Sequence, residues 1–432
     1  MVQYSTDKNA LLNNNDTIYE VMLHGGSITG YLTKGNLNTQ ADAFGRQRVV
    51  EPFTLFDSSF RFGDNPRKWA EKARGSGYSS FVANEGLMNL VVTGVNGDEV
   101  IRETNRPFGY QPGKSLLVMN TFTMAEGREN LRQRVGYFGK FNGIYFELDG
   151  TTSYLVKRSS ITGSIINTRI EQSDWNVDPL DGTGPSGVVL DITKSQIFWI
   201  DIEWLGVGSV RAGFIINGQL IVCHIFHHAN SITGTYITTA SLPCRYEITN
   251  TGNTLVTSTM KQICTTVNSE GGFTFHNTTR SAATELTGKN LSTGVNNPMV
   301  SIRLRSRRTD AVVVPVALDL YGIQATAFKY KIFTDVTSLT SASWAQVDSA
   351  SSVEYDVSAT AMTGGVLIQE GIFKGQAQID TIRLADFFNS SIQLTRKVID
   401  SDSSGNILTI AVVPTTINDD AIVSITWQEY AQ

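Results

Sequence analysis

Two carboxylates on one extended segment are the first side chains in this sequence that could do chemistry. Asp201 and Glu203 alternate with isoleucines, so on a strand both carboxylates point to one face, about 6.6 Å apart by strand rise. Such a pair can act as acid and base, or as acid and nucleophile, in the hydrolysis of a glycosidic bond. Alternating carboxylates also occur on solvated strand faces without any function. We therefore expect no catalytic residue and no enzymatic activity.

Imidazole and thiolate groups that could bind a metal ion occur together in residues 223–228. Cys223, His224, His227 and His228 are residue types that ligate zinc. On a strand, however, His224 and His228 share a face about 13 Å apart, and His227 points to the other face. A single ion could not join them locally. We expect ordinary histidines of a sheet or an interface, and we assign no metal and no cofactor.

The oxygen-rich loop at residues 174–185 (DWNVDPLDGTGP) is a third candidate. Carboxylate and carbonyl oxygens are the ligands that Ca²⁺ prefers, but the loop lacks the register of a calcium loop that ends in a bidentate glutamate. Asp, Gly and Pro each favour turns. We therefore predict an ordered turn system that Pro179 and Pro185 hold and that Trp175 anchors.

A basic stripe is the last candidate. Arg303, Arg305 and Arg307 follow one another at every second position, beside Ile302 and Leu304, so they share one face of a predicted strand. Such a face could contact nucleic acid or an acidic partner. Charged strand faces also prevent sheets from associating edge to edge. We favour this protective role or a subunit contact, with Arg303 and Arg305 as the candidate contact residues.

The elements that must position these residues are strands. In residues 198–204 every second side chain is large and apolar, whereas Trp199 and Asp201 point the other way, which is the period of a half-buried strand. Residues 217–218 are Asn-Gly, which accepts the positive φ angles of a type I′ turn between two strands. One short helix is predicted at Pro66 to Arg74, with proline at its first position and a glycine after it. The chain is predicted to be an all-β protein.

The strand and turn patterns divide the chain into four parts. Residues 1–56 are rich in Asn, Gly and Thr and are predicted to form an extended docking arm. Residues 57–280 are predicted to form an antiparallel β-sandwich of jelly-roll type. Residues 281–298 lose the strand pattern and are predicted to be a linker. Residues 299–432 are predicted to form a second antiparallel β domain of the same kind.

The composition excludes several classes of protein. The 432 residues are enough for two domains, and the net charge of −5 at pH 7 disfavours a nucleic-acid binder, which needs an excess of Lys and Arg. The same charge disfavours anionic membranes, and the most apolar run, residues 311–320, is too short to span a bilayer. Cys223, Cys244 and Cys264 imply no disulfide framework and fit assembly in a reducing compartment. We expect neither direct nucleic-acid binding nor membrane insertion.

One stretch of the predicted arm resembles a known group of proteins. Residues 42–49 (DAFGRQRV), followed by residues 51–57 (EPFTLFD), are similar to a signature of structural proteins from tailed bacteriophages, notably those of marine cyanobacteria. Further segments that resemble the same group are residues 109–115 (GYQPGKS), 134–138 (RVGYF), 142–147 (NGIYFE), 175–187 and 201–211. The likeness covers about residues 40–275 and is thinner in the last third of the chain.

The resemblance implies a virion component. We expect a non-enzymatic structural protein of the capsid decoration, neck, baseplate or fibre, made and assembled in the cytoplasm of the host bacterium, whose partners are other virion proteins. The resemblance also implies a homo-oligomer, with a trimer favoured. The arm would then dock on a neighbouring subunit and become ordered only on docking. The residues expected to make this contact are Phe44, Arg46, Arg48, Val49 and Phe53.

Receptor binding is the alternative function. In this interpretation the chain is a lectin-like module of a tail or head fibre that recognises a host surface glycan. Sugars stack on aromatic faces, and Trp175 and Trp199 would supply those faces. A third interpretation is a depolymerase that cleaves surface polysaccharide through Asp201 and Glu203.

Overall fold

The computed structural model describes residues 42, 51–273, 278–308, 310–376, 380–384, 393–396, 398–401 and 403–430. Within this part of the chain the regular structure is almost entirely antiparallel strands, with a short 3-10 helix at Gln172–Asp174. No helix in the same part is long and apolar enough to cross a membrane. The predicted all-β fold is confirmed. Most of the predicted arm lies outside the described residues.

Fifteen strands form the first β-sandwich. They are β1 (Phe53–Ser58), β2 (Trp69–Arg74), β3 (Tyr78–Val82), β4 (Leu87–Val92), β5 (Glu99–Thr104), β6 (Ser115–Thr123), β7 (Leu131–Phe138), β8 (Gly143–Asp149), β9 (Thr152–Ser159), β10 (Ile166–Glu171), β11 (Gln196–Ile202), β12 (Val210–Ile216), β13 (Gln219–Phe226), β14 (Cys244–Asn250) and β15 (Ser258–Glu270). An eight-stranded sheet has the order β13-β12-β11-β6-β15-β4-β3, with β1 also paired to β15. A seven-stranded sheet has the order β10-β9-β8-β7-β14-β5-β2. The chain crosses repeatedly between these two sheets, as in jelly-roll folds.

Alternating side chains fill the space between the two sheets. On β11, Phe198 and Ile200 are fully buried in the core, whereas Trp199 points to the opposite face. The rings of Phe146 and Phe214 meet edge to face, with centroids 5.4 Å apart, which is a favoured arrangement for aromatic pairs. The period-two pattern of β11 therefore identifies its core face correctly.

The predicted Asn-Gly turn is also present. It joins β12 to β13, with Ile216 paired to Gln219. The φ angle is 53° at Asn217 and 76° at Gly218. Positive φ at both central positions defines a type I′ turn, whose twist matches that of the strands it connects.

Ten strands form the second sandwich. They are β16 (Thr278–Ala283), β17 (Lys289–Asn290), β18 (Asn297–Leu304), β19 (Val312–Gly322), β20 (Ala327–Thr340), β21 (Val353–Asp356), β22 (Ala361–Lys374), β23 (Asp380–Arg383), β24 (Ile407–Pro414) and β25 (Asp420–Tyr430). One five-stranded sheet has the order β16-β25-β19-β23, with β17 also paired to β25, and the other has the order β21-β18-β24-β20-β22. Buried side chains such as Leu318, Ile332 and Trp427 fill the core between them.

The short helix predicted at Pro66 to Arg74 is wrong. Most of this segment is β2, which pairs with β5 from Trp69 opposite Thr104 to Arg74 opposite Glu99. Trp69 is 2% exposed and packs into the core. Burying this ring in the sandwich outweighs the local preference for a helix start, because helix propensity is a weak term beside the burial of a large apolar surface.

The predicted linker at residues 281–298 contains strands instead. Both β16 and β17 pair with β25, and β18 starts within this range. The chain therefore passes from the first sandwich to the second between β15 and β16. Short strands rich in Thr, Asn and Gly resemble a loop in sequence. They become strands because they pair with a partner that is distant in the chain.

One charged side chain joins the two sheets of the first sandwich through the interior. Arg102, on β5, is 2% exposed. Its Nε donates to Gln262 Oε1 on β15 of the opposite sheet at 2.9 Å. Its Nη1 donates to Glu71 Oε2 at 2.7 Å, and its Nη2 donates to the main-chain oxygen of Asp64 at 2.7 Å. The guanidinium is thus satisfied by partners on three separate segments.

Arg102→Met should destabilise the first sandwich by about 3 kcal/mol, because it removes a buried ion-pair partner of Glu71 and leaves the fully buried Gln262 oxygen without its donor. The measurement is the free energy of unfolding in urea. Arg74→Met is the matched control, since the side chain of Arg74 is 64% exposed and its ion pair with Glu99 is long, at 3.6 Å; a loss below about 1 kcal/mol is expected there. Equal losses in the two variants would contradict the role given to Arg102.

Candidate functional site

The outer face of the seven-stranded sheet carries a continuous row of ion pairs, which we call the charge ladder. In order across the sheet, from β10 to β5, its members are Arg169, Glu147, Arg134, Glu247, Arg245 and Glu103. Each side chain pairs with the next at nitrogen to oxygen distances between 2.5 and 3.4 Å. Alternate residues of these strands fill the core, so the charged residues between them share the outer face.

Most of the charge ladder is buried, and its charges survive there only because each is paired. Glu103 is fully buried, and Glu247 is 4% exposed. Burial alone would raise the pKa of Glu247, but the guanidiniums of Arg134 and Arg245 outweigh it and lower that pKa to about 2. For Glu103 burial dominates and raises the pKa, against the guanidiniums of Arg396 and Arg245. Removing one partner from such a row leaves an uncompensated buried charge.

An aromatic cluster lies beside the charge ladder on the same face. Phe138, Tyr145 and Val156 are fully buried there. The guanidinium of Arg158 lies 5.2 Å from the ring centroid of Tyr145, and that of Arg134 lies 5.4 Å from it. Cation–π contacts of this kind stabilise an arginine over a ring when both are withdrawn from water.

Two residues from the second domain complete the charge ladder at the Glu103 end. Arg396 and Asp400 lie between β23 and β24. Arg396 Nη1 lies 2.9 Å from Glu103 Oε1. The carboxylate of Asp400 accepts hydrogen bonds from Arg245 at 2.9 and 2.7 Å and from Lys72 at 3.4 Å. We use the name clasp for the five residues that make these contacts: Lys72, Glu103, Arg245, Arg396 and Asp400.

The clasp holds the two domains in one orientation. Burial would raise the pKa of Asp400, but its hydrogen bonds and ion pair with Arg245 outweigh burial and lower that pKa to about 2. Asp400 therefore stays ionised at neutral and mildly acidic pH. Because Arg245 binds both of its oxygens, the contact fixes angle as well as distance. This arrangement can position domains, since the ionised carboxylate of Asp400 accepts hydrogen bonds from both Arg245 and Lys72.

The predicted carboxylate pair does not form a shared site. Asp201 is fully buried, and its carboxylate pairs with the guanidinium of Arg211, which lies opposite it on β12. Glu203 follows the end of β11, and its main-chain amide donates to the Ser209 carbonyl at 3.2 Å. We assign no catalytic role to either residue.

The histidines hold local structure. Nδ1 of His224 accepts a hydrogen bond from the main-chain amide of Asn176 at 3.2 Å. His228 stacks on Tyr236 with ring centroids 3.9 Å apart, and its Nε2 lies 3.0 Å from Lys157 Nζ. Burial lowers the pKa of both His224 and His228 to about 4. Among the residues described, no group of three or more His, Cys, Asp or Glu side chains converges as a metal site requires.

The loop at residues 174–187 is an ordered turn system anchored by its tryptophan. Trp175 is 4% exposed, packs in the core and donates from Nε1 to a main-chain carbonyl at 3.2 Å. The buried carboxylate of Asp178 accepts hydrogen bonds from the amides of Leu180 at 2.9 Å and Ser186 at 2.8 Å. Both oxygens of Asp178 thus hold the loop itself.

The other candidate contact residues are occupied within the chain. Trp199 lies on the outer face of the eight-stranded sheet and is 1% exposed, so its ring offers no open face. Arg303 pairs through Nε with Glu354 at 2.6 Å, and its guanidinium lies 3.9 Å from the ring centroid of Trp344. Arg305 donates from Nη1 to a main-chain carbonyl at 2.7 Å. We propose no ligand contact for these residues.

Four of the five predicted docking residues, Phe44, Arg46, Arg48 and Val49, lie outside the described residues. Phe53 starts β1, where it pairs with Ser269 of β15. Its ring stacks on that of Phe273, with centroids 5.8 Å apart. Phe53 is therefore part of the eight-stranded sheet of its own chain. A docking role for the segment before it stays a prediction.

The charge ladder is not evident from the amino-acid sequence. The available signal is that Arg245 and Glu247, and likewise Arg132 and Arg134, alternate with apolar or core residues on strands rich in buried side chains. That alternation assigns the charges to one face. It does not assign partners, because the order of the strands in the sheet decides which charges meet.

Comparisons with known proteins give similarity of strand arrangement only. No protein-family model matches the chain, and no curated protein matches it in sequence. Similar solved structures include the catalytic domain of an endo-1,3-beta-glucanase (laminarinase) from Thermotoga petrophila, with 13% identity, a TM-score of 0.34, and coverage of 52% of this chain and 100% of that one. A legume lectin-like domain from Entamoeba histolytica has 11% identity, a TM-score of 0.30, and coverage of 49% and 95%. Lectin I-B4 from Griffonia simplicifolia has 13% identity, a TM-score of 0.29, and coverage of 50% and 99%. Likenesses at these TM-scores carry no argument about activity or ligand.

Mild acid should destabilise the first sandwich through its buried histidines. The pKa of His224 and of His228 is about 4 in the folded chain, against an ordinary value of 6.5. Their contribution to stability is therefore complete above about pH 6.5 and is lost as the pH falls toward 4, because only the unfolded chain takes up protons in that range. The urea midpoint of the wild type should fall more between pH 7 and pH 5 than that of His228→Gln. Equal falls in both proteins would contradict this assignment.

Asp400→Ala should release the two domains from each other while each stays folded. The variant removes the carboxylate that binds Arg245 and Lys72, and a buried Arg245 then lacks one counter-charge. We expect a larger radius of gyration by X-ray scattering and faster protease cleavage between the domains. Asp348→Ala, which removes an exposed carboxylate paired with Arg280, is the control and should change neither quantity. A wild-type scattering curve for Asp400→Ala would disprove the positioning role.

Proposed function

We propose that this protein is a non-enzymatic structural component of a tailed-phage virion, acting through contacts with other virion proteins and with copies of itself. The resemblance carried by residues 42–57 supports the virion assignment. The structural observation that supports it most is the clasp, in which Arg245 and Glu103 of the first sandwich bind Asp400 and Arg396 of the second.

A fixed orientation between domains is what a particle component needs. Symmetric assemblies close only when every subunit presents its contact surfaces in the same geometry. Two domains of one chain otherwise move relative to each other unless their interface is large and apolar. The bidentate contact between Arg245 and Asp400 supplies a directional constraint between the two domains.

The pairing of Glu247 and Asp201 with arginines favours a structural role for these two buried acids over catalysis. A general acid or base works best when its pKa lies near the operating pH. The guanidiniums around Glu247 instead lower its pKa to about 2, and Asp201 is held by Arg211. These carboxylates contribute by pairing with arginines.

We do not extend the proposal to glycan recognition through the two tryptophans. A stacking site needs an accessible ring face. Trp175 is 4% exposed and Trp199 is 1% exposed. A glycan-binding role would require other residues than these.

Deletion of residues 1–50 should remove the chain from purified phage particles. The deletion leaves β1 and its pairing with β15 in place, so both sandwiches should fold normally. A tagged full-length chain expressed during infection should sediment with purified particles. The shortened chain should stay in the unassembled fraction with an unchanged circular dichroism spectrum.

Leu255→Ser is a matched control, because Leu255 is 88% exposed and lies away from the arm in sequence. This variant should sediment with particles as the wild type does. Absence of the full-length chain from particles would overturn the virion proposal. Incorporation of the shortened chain would overturn the docking role of residues 1–50.

A further inference from the structure

Among the described strands of the second sandwich, β22 is the longest strand that lies at the edge of a sheet. This strand has 14 residues and pairs with β20 on one side only. An edge strand presents unpaired N–H and C=O groups along its free side, and bulges are one way in which proteins prevent pairing there. The half near Ala361 contains Gly364 and Gly365 at φ 68° and 98° and shifts in register. Residues 369–374 pair with β20 without any shift.

The regular segment at residues 369–374 is fixed from its inner face. Phe373 stacks on Phe328, with centroids 5.0 Å apart and an interplanar angle of 13°. At Gly371 an added Cβ would lie 2.4 Å from the ring of Tyr330, so glycine provides the space in which this ring packs. These contacts hold the segment in place at the edge of its sheet.

The outer face of the same segment has a self-complementary order of side chains. Glu370, Ile372 and Lys374 are all exposed, and Ile372 has 74% of its surface in solvent. In an antiparallel pair of two copies with Ile372 at the two-fold axis, the two isoleucines face each other. Glu370 of each copy then faces Lys374 of the other, and cross-strand pairs of opposite charge are stabilising.

Neighbouring registers lack this match. A shift of two residues in either direction places one charged residue opposite Ile372. A shift of four residues places Glu370 opposite Glu370, or Lys374 opposite Lys374, and like charges directly opposite are destabilising. Among the residues that the structure describes, Glu370 pairs with Lys329 at 3.7 Å, and its side chain is 46% exposed. It therefore remains accessible to a lysine from another copy.

We propose that two copies of this chain associate edge to edge through residues 369–374 of β22, with Ile372 on the two-fold axis. The five-stranded sheet that contains β22 in one copy would then continue into the same sheet of the other copy. The partner is a second copy of this chain, because in this register the order Glu370, Ile372, Lys374 in one copy matches the reversed order in the other. The inference goes beyond the virion proposal and does not depend on it.

Disulfide trapping tests the register. Ile372→Cys, made in a Cys264→Ser background because Cys264 is exposed while Cys223 and Cys244 are buried, places two thiols opposite each other at the axis. Directly opposite Cβ atoms lie about 4.5–5.5 Å apart, close enough for a disulfide after a small adjustment. Mild oxidation should give a covalent dimer that a reducing agent reverses.

Leu367→Cys in the same background is the matched control, since Leu367 is on the same strand and is 41% exposed. In the proposed register the two copies of residue 367 lie about 33 Å apart. This variant should not form the covalent dimer. Equal trapping at both positions, or none at residue 372, would overturn the proposal.

Sedimentation of the full chain tests the association itself. The wild type should show a concentration-dependent dimer, and Ile372→Arg should raise its dissociation constant at least tenfold by placing two like charges at the axis. Ile417→Arg, at a position 69% exposed outside β22, should leave the dimer unchanged. A wild type that stays monomeric at the highest soluble concentration would overturn the proposal, and particle incorporation could still be measured separately.

Discussion

A buried charge must be paired, and this constraint shapes the molecule more than any other single interaction. Six alternating charges cross the outer face of one sheet, and the last of them, Glu103, receives its second guanidinium from another domain. The first sandwich alone would leave Glu103 and Arg245 short of partners. Because Arg396 and Asp400 complete this row, charge satisfaction constrains how the two domains are oriented.

Local patterns predict the fold class and fail where pairing is distant. The alternation along β11 and the turn at Asn217 are readable because each depends on neighbouring residues. Trp69 becomes a strand residue because it pairs with β5, opposite Thr104, and packs in the core between two sheets. Residues 281–298 become ordered through β25, which lies more than a hundred residues later. Strand order is a long-range property that no short window contains.

The candidate site shows the same contrast between local patterns, which the sequence contains, and strand pairing, which it does not. Residues selected by chemical type, such as His228 and Asp201, turn out to hold local structure through Tyr236 and Arg211. Arg134 and Glu247 are 113 residues apart in sequence and meet only because β7 and β14 are adjacent. Alternation could assign each of them to a face. Only the pairing of the strands shows that they form one ionic row.

Each sandwich joins strands from both of its ends, because β1 pairs with β15 and β16 pairs with β25. During synthesis the first sandwich can close soon after β15 leaves the ribosome, whereas the second cannot close until β25 has emerged. Domains that fold in sequence order in this way avoid mixing their strands. Arg245 can contact Asp400 only at this later stage. Docking of the second sandwich on the first is therefore a late step of maturation, after the first sandwich is already compact.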